Sequence, residues 1–283
     1  MLRSVNRLPL ERRAQIVGLL AEGNSLRASS RLADVSINTV TKLMLDVGAA
    51  CEEYQDKALR NLKSRRIQCD EIWAFVYANA KNLHEKYKGP AVGFGDVWTW
   101  TALDADTKLV PSWAVGRRDA FTAQAFIRDL AERLATRVQL STDGHKVYLE
   151  AVEGAFGSNI DYAMLIKMYE GDSGAKVPAE RRYSPAVCTG IQTQRIAGDP
   201  DPDYISTSFV ERQNLTMRMS MRRFTRLTNA FSKKVDNHKA AVALHFMHYN
   251  FARIHKTLRV TPAMEAGVSD HVWSHAEIAG LSN

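Results

Sequence analysis

The segment IQCDEIWAFVY, residues 67–77, is apolar on both parities of a two-residue repeat and carries two adjacent carboxylates, Asp70 and Glu71, near its middle. Successive side chains of a strand point to opposite faces of a sheet, so such a run must be covered on both. It reads as a central strand buried between layers. A carboxylate in that position is costly to desolvate unless something compensates its charge.

The segments that follow supply the layers. VWTWTAL and KLVPSWAVG flank a turn signal at Asp104-Ala105-Asp106 and predict a hairpin. Ala120 to Leu134 has helical spacing of Phe121, Ala125, Ile127 and Leu130, and RVQLSTDG reads as a strand ending in an acid and a glycine. A helix from about His145 to Phe156 and a strand from about Ala163 to Met168 complete an α/β unit, a mixed sheet with flanking helices. Residues 171–206 contain four glycines and four prolines and predict an irregular stretch, too long for a plain connection and therefore a functional or mobile insertion. Two helical regions follow, Phe209 to about Phe224 and Lys233 to about Ile254.

Ahead of the central strand the chain reads as all helix. Pro9 suits a first turn, Ile16, Leu19 and Leu20 give one apolar face, and Gly23 stops the first helix. Asn24 or Ser25 can cap a second, short helix, and a turn at Asp34-Val35 leads to a third capped by Ser36, with Val40, Leu43 and Val47 facing inward. This is the pattern of a helix-turn-helix whose last helix would enter a major groove, with Ser36, Asn38, Thr39 and Lys42 as the outward, DNA-facing positions. A small helical bundle without a partner is the alternative. The charged segment from Glu52 to Arg66 reads as a helical connector.

Composition narrows the function classes. A formal net charge of +7 favours a polyanionic partner, because neutralised phosphates release counterions. The three cysteines, Cys51, Cys69 and Cys188, are odd in number and form no CxxC pair, which supports neither a zinc site nor a disulfide framework and suits a reducing, cytoplasmic setting. The N-terminus lacks a signal-peptide pattern, and no run of about 18 apolar residues predicts a membrane span.

Three acids fall at chemically suggestive places: Asp70 in the buried strand, Asp143 at a strand end, and Glu211 at the start of the helix after the insertion. Each is separated from the next by roughly seventy residues, so only the fold can unite them. Two Mg²⁺ ions, or Mn²⁺ in their place, need carboxylates from separate elements to clamp the attacking and leaving oxygens of an in-line displacement. Singly, each acid has an ordinary alternative. Asp70 can be a salt-bridged core residue with Glu71 as the true ligand, Asp143 before Gly144 a turn former or cap, and Glu211 an acid favoured by a helix dipole. The flank of Glu211 adds weight: from Arg212 to Val235 there is no acid, but Arg212, Arg218, Arg222, Arg223, Arg226, Lys233 and Lys234 are present. Glu211, Leu215 and Arg218 fall on one helix face, so a metal and a DNA backbone could lie side by side, a solvated basic face being the alternative.

QCDEIWAFVYANAK, STDGHKVY and FVERQNLTMRMSMRRFTRLTNAFSKKVDNHKAAVALHFMHYNF resemble the three catalytic blocks of the insertion-sequence-one transposases, a bacterial DDE family with an RNase H-like core. The match spans about residues 66–255, and the third block, with ERxN on the helix and FSK before the closing helix, is the most specific. The resemblance implies Asp70, Asp143 and Glu211 as metal-binding catalytic acids and Asn214 and Arg218 as DNA contacts, with Arg212 and Arg222 beside them. Residues 8–43 are similar to the helix-turn-helix that such transposases use on terminal inverted repeats. Members commonly carry a cysteine-based zinc finger ahead of it, which this chain lacks, and the insertion before Glu211 is long for the family.

The resulting expectation is a helix-turn-helix domain at 1–50, a connector at 51–65, an RNase H-like catalytic domain at 66–258 with an irregular insertion at 171–207, and a tail at 259–283. The implied activity is two-metal cleavage and strand transfer on double-stranded DNA, at transposon ends and target, by a homodimer or larger assembly with no membrane partner. A transposase-derived regulator without catalysis and an RNase H-like nuclease acting on RNA–DNA hybrids are the rivals.

Overall fold

The computed structural model describes residues 7–87, 93–169, 188–225 and 229–283. Its centre is β1 (Arg66–Val76), buried on both faces as its apolar parities require. Ile67 and Cys69 point into a core with Phe126, Leu130, Leu140 and Tyr148. Ile72, Ala74 and Val76 point the other way, onto Val210, Met217, Val242 and Phe246.

β2 (Gly95–Asp104) and β3 (Trp113–Gly116) form the expected hairpin and pair antiparallel in series beside β1. The chain then crosses through α4 (Ala120–Arg133) to β4 (Gln139–Thr142), parallel to β1, and through α5 (Val147–Phe156) to β5 (Asp161–Tyr169), parallel to β4. The sheet order β3-β2-β1-β4-β5, three antiparallel strands followed by two parallel ones, is that of the RNase H-like fold.

A sixth strand revises part of the expected irregular stretch. Residues 170–187 lie outside the described residues, but β6 (Cys188–Ala197) pairs antiparallel with β5 at the sheet edge. Its side chains are mostly exposed, Ile191 included, so it has no burial pattern to betray it. Backbone pairing holds it rather than an apolar face.

The helices at the two ends of the chain share one core. α1 (Leu10–Ala21), α2 (Leu26–Leu32) and α3 (Ile37–Ala58) precede the sheet, and α3 runs unbroken for 22 residues into the first half of the segment read as a connector, which continues without helix from Leu59. After the sheet come α6 (Ser208–Ser220), α7 (Val235–Met247), a π turn at His248–Ala252, α8 (Pro262–Glu265) and α9 (His275–Gly280). α6 stops short of the expected Phe224, which belongs to a separate 3-10 turn, Arg222–Phe224. Ile16, Val40 and Val47 pack with Leu244, Phe251 and Ile278. Residues expected as a tail are thus part of the core, Ile278 and Ala279 being fully buried. α3 and α7 approach closely at Gly48, where a Cβ would lie 2.6 Å from the Cα of Ala240. No helix among the described residues is long and apolar enough to cross a membrane.

Candidate active site

Register decides which acids meet. In the parallel pair of β1 and β4, Cys69 stands opposite Thr142, and β4 ends there while β1 continues to Val76. Asp143 is the first residue past the end of β4, so it emerges beside Asp70 where the sheet splits. Asp70, Glu71 and Asp143 each offer an oxygen within 4.8 Å of the others.

Asp70 and Glu71 reach this point from opposite faces, as neighbours on a strand must. On the α6 face, Asp70 accepts hydrogen bonds from the Glu71 backbone N–H and from Asn214 Nδ2, both at 2.8 Å. On the α5 face, Glu71 accepts from Arg118 Nε at 2.5 Å and from the Tyr148 hydroxyl at 3.0 Å. Asp143 accepts from the His145 backbone N–H at 3.0 Å and lies 3.7 Å from Arg118 Nη2. Arg118, lying over the Trp98 ring, therefore spans two of the three acids.

The electrostatics follow from this crowding. Burial, then the charges of Glu71 and Asp143, pushes the Asp70 carboxyl up to about 7. Glu71 is raised too, by burial and by Asp143, with Arg118 and Tyr148 opposing the shift. Three carboxylates held this close favour a proton or a cation among them. Their hard oxygen donors suit a divalent ion such as Mg²⁺.

Glu211 stands apart from this cluster. It lies in the first turn of α6 and accepts from the Lys167 ammonium, carried by β5, and from the Thr207 hydroxyl at 2.6 Å. Its charge still adds to the upward push on Asp70. Burial works against the charge on Lys167, but Glu211 outweighs it, and the ammonium is held above the usual lysine range with help from Asp70. Lys167 is thus a cation already placed on the helix acid.

A strand glutamine sets the position of α6. Gln68, two residues before Asp70 and on the same sheet face, accepts from the backbone N–H groups of Phe209 and Val210 at 2.9 and 3.2 Å. These are orphan donors of the helix N-terminus, so the contact fixes both the start and the height of α6 above β1. From there Asn214 falls over Asp70. The buried face of α6 is Val210, Gln213, Asn214 and Met217, with Glu211 and Arg218 at its border and Leu215 exposed.

The positions expected to touch DNA divide by exposure. Arg212 and Arg222 are exposed and Arg218 is half-buried, whereas Asn214 is buried against Asp70 and holds that carboxylate. Arg226 lies outside the described residues. Ser36 caps α3 by accepting from the Thr39 N–H at 3.1 Å, and Asn38 and Lys42 are exposed. Thr39 and Lys42 border a recess of about 380 Å³ shared with Arg7, Asp46 and Ser282.

Gln68, Arg118, Tyr148 and Lys167 were not evident as site residues from the sequence. Lys167 left one signal: it is the only charged residue in the otherwise apolar run from Ala163 to Tyr169. Arg118 left none, since its partners are 47 and 25 residues away in the chain.

No protein-family model and no curated protein matches the chain. Among solved structures it is similar to the Mos1 transposase paired-end complex with left transposon end, at 15% identity and a TM-score of 0.23, covering 56% of this chain and 60% of that one. It is also similar to the Mos1 strand transfer complex, at 15% identity and a TM-score of 0.25, covering 86% of this chain and 78% of that one. A pre-cleavage Mos1 transpososome is similar at 12% identity and a TM-score of 0.23, covering 87% and 80%. At TM-scores this low the likeness specifies neither chemistry nor partner.

Proposed function

We propose that the chain is a DNA transposase of the DDE class, which uses Asp70, Asp143 and Glu211 to hold divalent cations for cleavage and strand transfer at the terminal inverted repeats of an insertion sequence. The observation that carries this reading is the meeting of Asp70 and Asp143 where β1 outruns β4, on the sheet end to which Gln68 and Asn214 tether α6. The sequence blocks around these acids are also those that resemble the insertion-sequence-one transposases.

Asp70 and Asp143 would hold a cation jointly, and Glu211 would complete a second position from α6. Mg²⁺ is the natural occupant, with Mn²⁺ able to replace it. When bound, such ions neutralise charge on the attacking and leaving oxygens of an in-line displacement at phosphorus. The residues of the chain do the positioning. Asn214 orients Asp70, while Arg118 and Tyr148 fix Glu71, and Arg118 places positive charge beside Asp143. Arg212, Arg218 and Arg222, on and after α6, lie along a path for the phosphate backbone, and Ser36, Asn38, Thr39 and Lys42 at the start of α3 read the end sequence. Water, then a DNA 3′-hydroxyl, is the nucleophile, so no side chain needs to form a covalent intermediate. Joining two ends requires a homodimer or larger assembly on double-stranded DNA.

The test is a strand-transfer assay on the native end DNA with Mg²⁺. Asp143→Asn is expected to abolish transfer while leaving end binding intact, and retained transfer would sink the proposal. Binding without cleavage by the wild-type protein would instead mark a regulator, and preferential cleavage of RNA–DNA hybrids a nuclease. A second reading has its own support: Glu71, not Glu211, shares the cluster with Asp70 and Asp143. If Glu71 is a ligand, Glu71→Gln must weaken Mn²⁺ binding as much as Asp143→Asn does.

A further inference from the structure

A cleft of about 800 Å³ opens between the α1–α2 turn and the start of α3 on one side and the segment that follows α6 on the other, with α7 as its floor. No Asp or Glu is among the described residues that line it, although acids make up 31 of the chain's 283 residues. Arg27, Arg222, Arg223 and Lys233 all border it. Its lining is otherwise mixed: apolar side chains such as Leu26 and Met44, the Phe231 ring, and small polar groups.

The cleft is built rather than incidental. Gly23 has φ +81°, and a Cβ there would lie 2.5 Å from the Ser220 carbonyl oxygen, so the α1–α2 turn is seated directly on the C-terminal end of α6. Arg223 is fixed in the wall by donating to the Ser232 hydroxyl and the Asn237 carbonyl, both at 2.9 Å. On the floor, His245 is buried and held neutral.

Charge and lining together select the occupant. Duplex DNA is convex and presents phosphates while hiding its bases, so it has little use for an apolar and aromatic interior. An unpaired strand offers both phosphates for the basic rim and base faces for the floor. The path is direct: from Glu211 to Ser220, α6 rises about 14 Å, a few nucleotides of chain.

We propose that this cleft binds a short unpaired DNA strand that continues from the acidic cluster along α6, a site distinct from the groove-reading face of α3. The inference rests on the transposase reading for the identity of the strand, but its test does not require catalysis. Arg27 and Lys233 are exposed and have no ion pair among the described residues, so they can be changed without disturbing the core.

The experiment measures binding of a fluorescein-labelled ten-nucleotide oligothymidine and of a ten-base-pair duplex by anisotropy, across a salt series without divalent cations. Wild-type protein is expected to bind the single strand. The double variant Arg27→Ala, Lys233→Ala is expected to lower the slope of log affinity against log salt by about 1.4, two phosphate contacts at about 0.7 each. Duplex binding by that variant should be unchanged, and Asp143→Asn should bind the single strand as wild type does. Failure of the wild type to bind the single strand, an unchanged slope in the double variant, or a loss confined to duplex would overturn the proposal. Loss of strand transfer in Asp143→Asn bears only on the transposase reading, so the two can fail separately.

Discussion

The acids at the split of the sheet and the acid on α6 carry the same charge but live in opposite surroundings. Asp70, Glu71 and Asp143 crowd one another beside a single shared arginine, and Asp70 is pushed up to about 7. Glu211, across the same sheet end, is neutralised one to one by Lys167. A crowd of like charges in a partly buried position favours the folded chain poorly unless a cation arrives, whereas an ion pair is already satisfied. The strand cluster is therefore the place where a cation would relieve the most repulsion, and the helix acid is one that would have to give up a lysine to join it.

Removing one carboxylate of the crowd has the largest expected effect. Asp143→Asn should reduce Mg²⁺-dependent strand transfer to background, measured with end binding as the control. Next in size is a pH effect on stability. The folded-state pKa of Asp70 lies above its unfolded value, so the folded chain binds the proton more tightly. Metal-free protein should lose stability as pH rises from about 4 to about 7, and Asp70→Asn should flatten that decline in thermal melts.

Arg118→Ala sharpens the same contrast from the other side. Glu71 would keep its burial and lose its cation, with its side chain only 1% exposed and that of Arg118 39% exposed. Stripping a partner from a fully buried pair costs about 3–5 kcal/mol, and the exposure of Arg118 brings the expected loss to about 2 kcal/mol by denaturant unfolding. Saturating Mg²⁺ should recover part of it. The smallest effect belongs to the paired acid. Lys167→Met frees Glu211 and should tighten Mn²⁺ binding a few-fold in calorimetry, while a weakening would mean that the lysine supports the site rather than competes for it.

The contrast also marks how far the sequence could be read. β1 was legible because burial on both faces forces apolar residues onto both parities, and the order of strands and helices after it followed from the same patterning. The proximity of Asp70 and Asp143 was legible only as an order of elements, because the register that sets Cys69 opposite Thr142 is a backbone property. β6 was not legible, since an exposed edge strand has no apolar face to show. Nor was the shared core of the end helices, which depends on contacts such as that between Gly48 and Ala240 across most of the chain. The ambiguity between Asp70 and Glu71 was real in the sequence, and the structure keeps both acids beside Asp143. The two approach the same point from opposite faces, Asp70 held by an asparagine on α6 and Glu71 by an arginine and a tyrosine.

If Asp70 and Asp143 form a single cation site where β1 outruns β4, neither acid alone suffices to hold the ion. Calorimetric titration of Mn²⁺ into wild-type, Asp70→Asn and Asp143→Asn protein, all shown to be folded, tests it most directly. Binding by the wild type and its loss in both variants is the predicted result. Wild-type affinity retained by either variant would contradict the account.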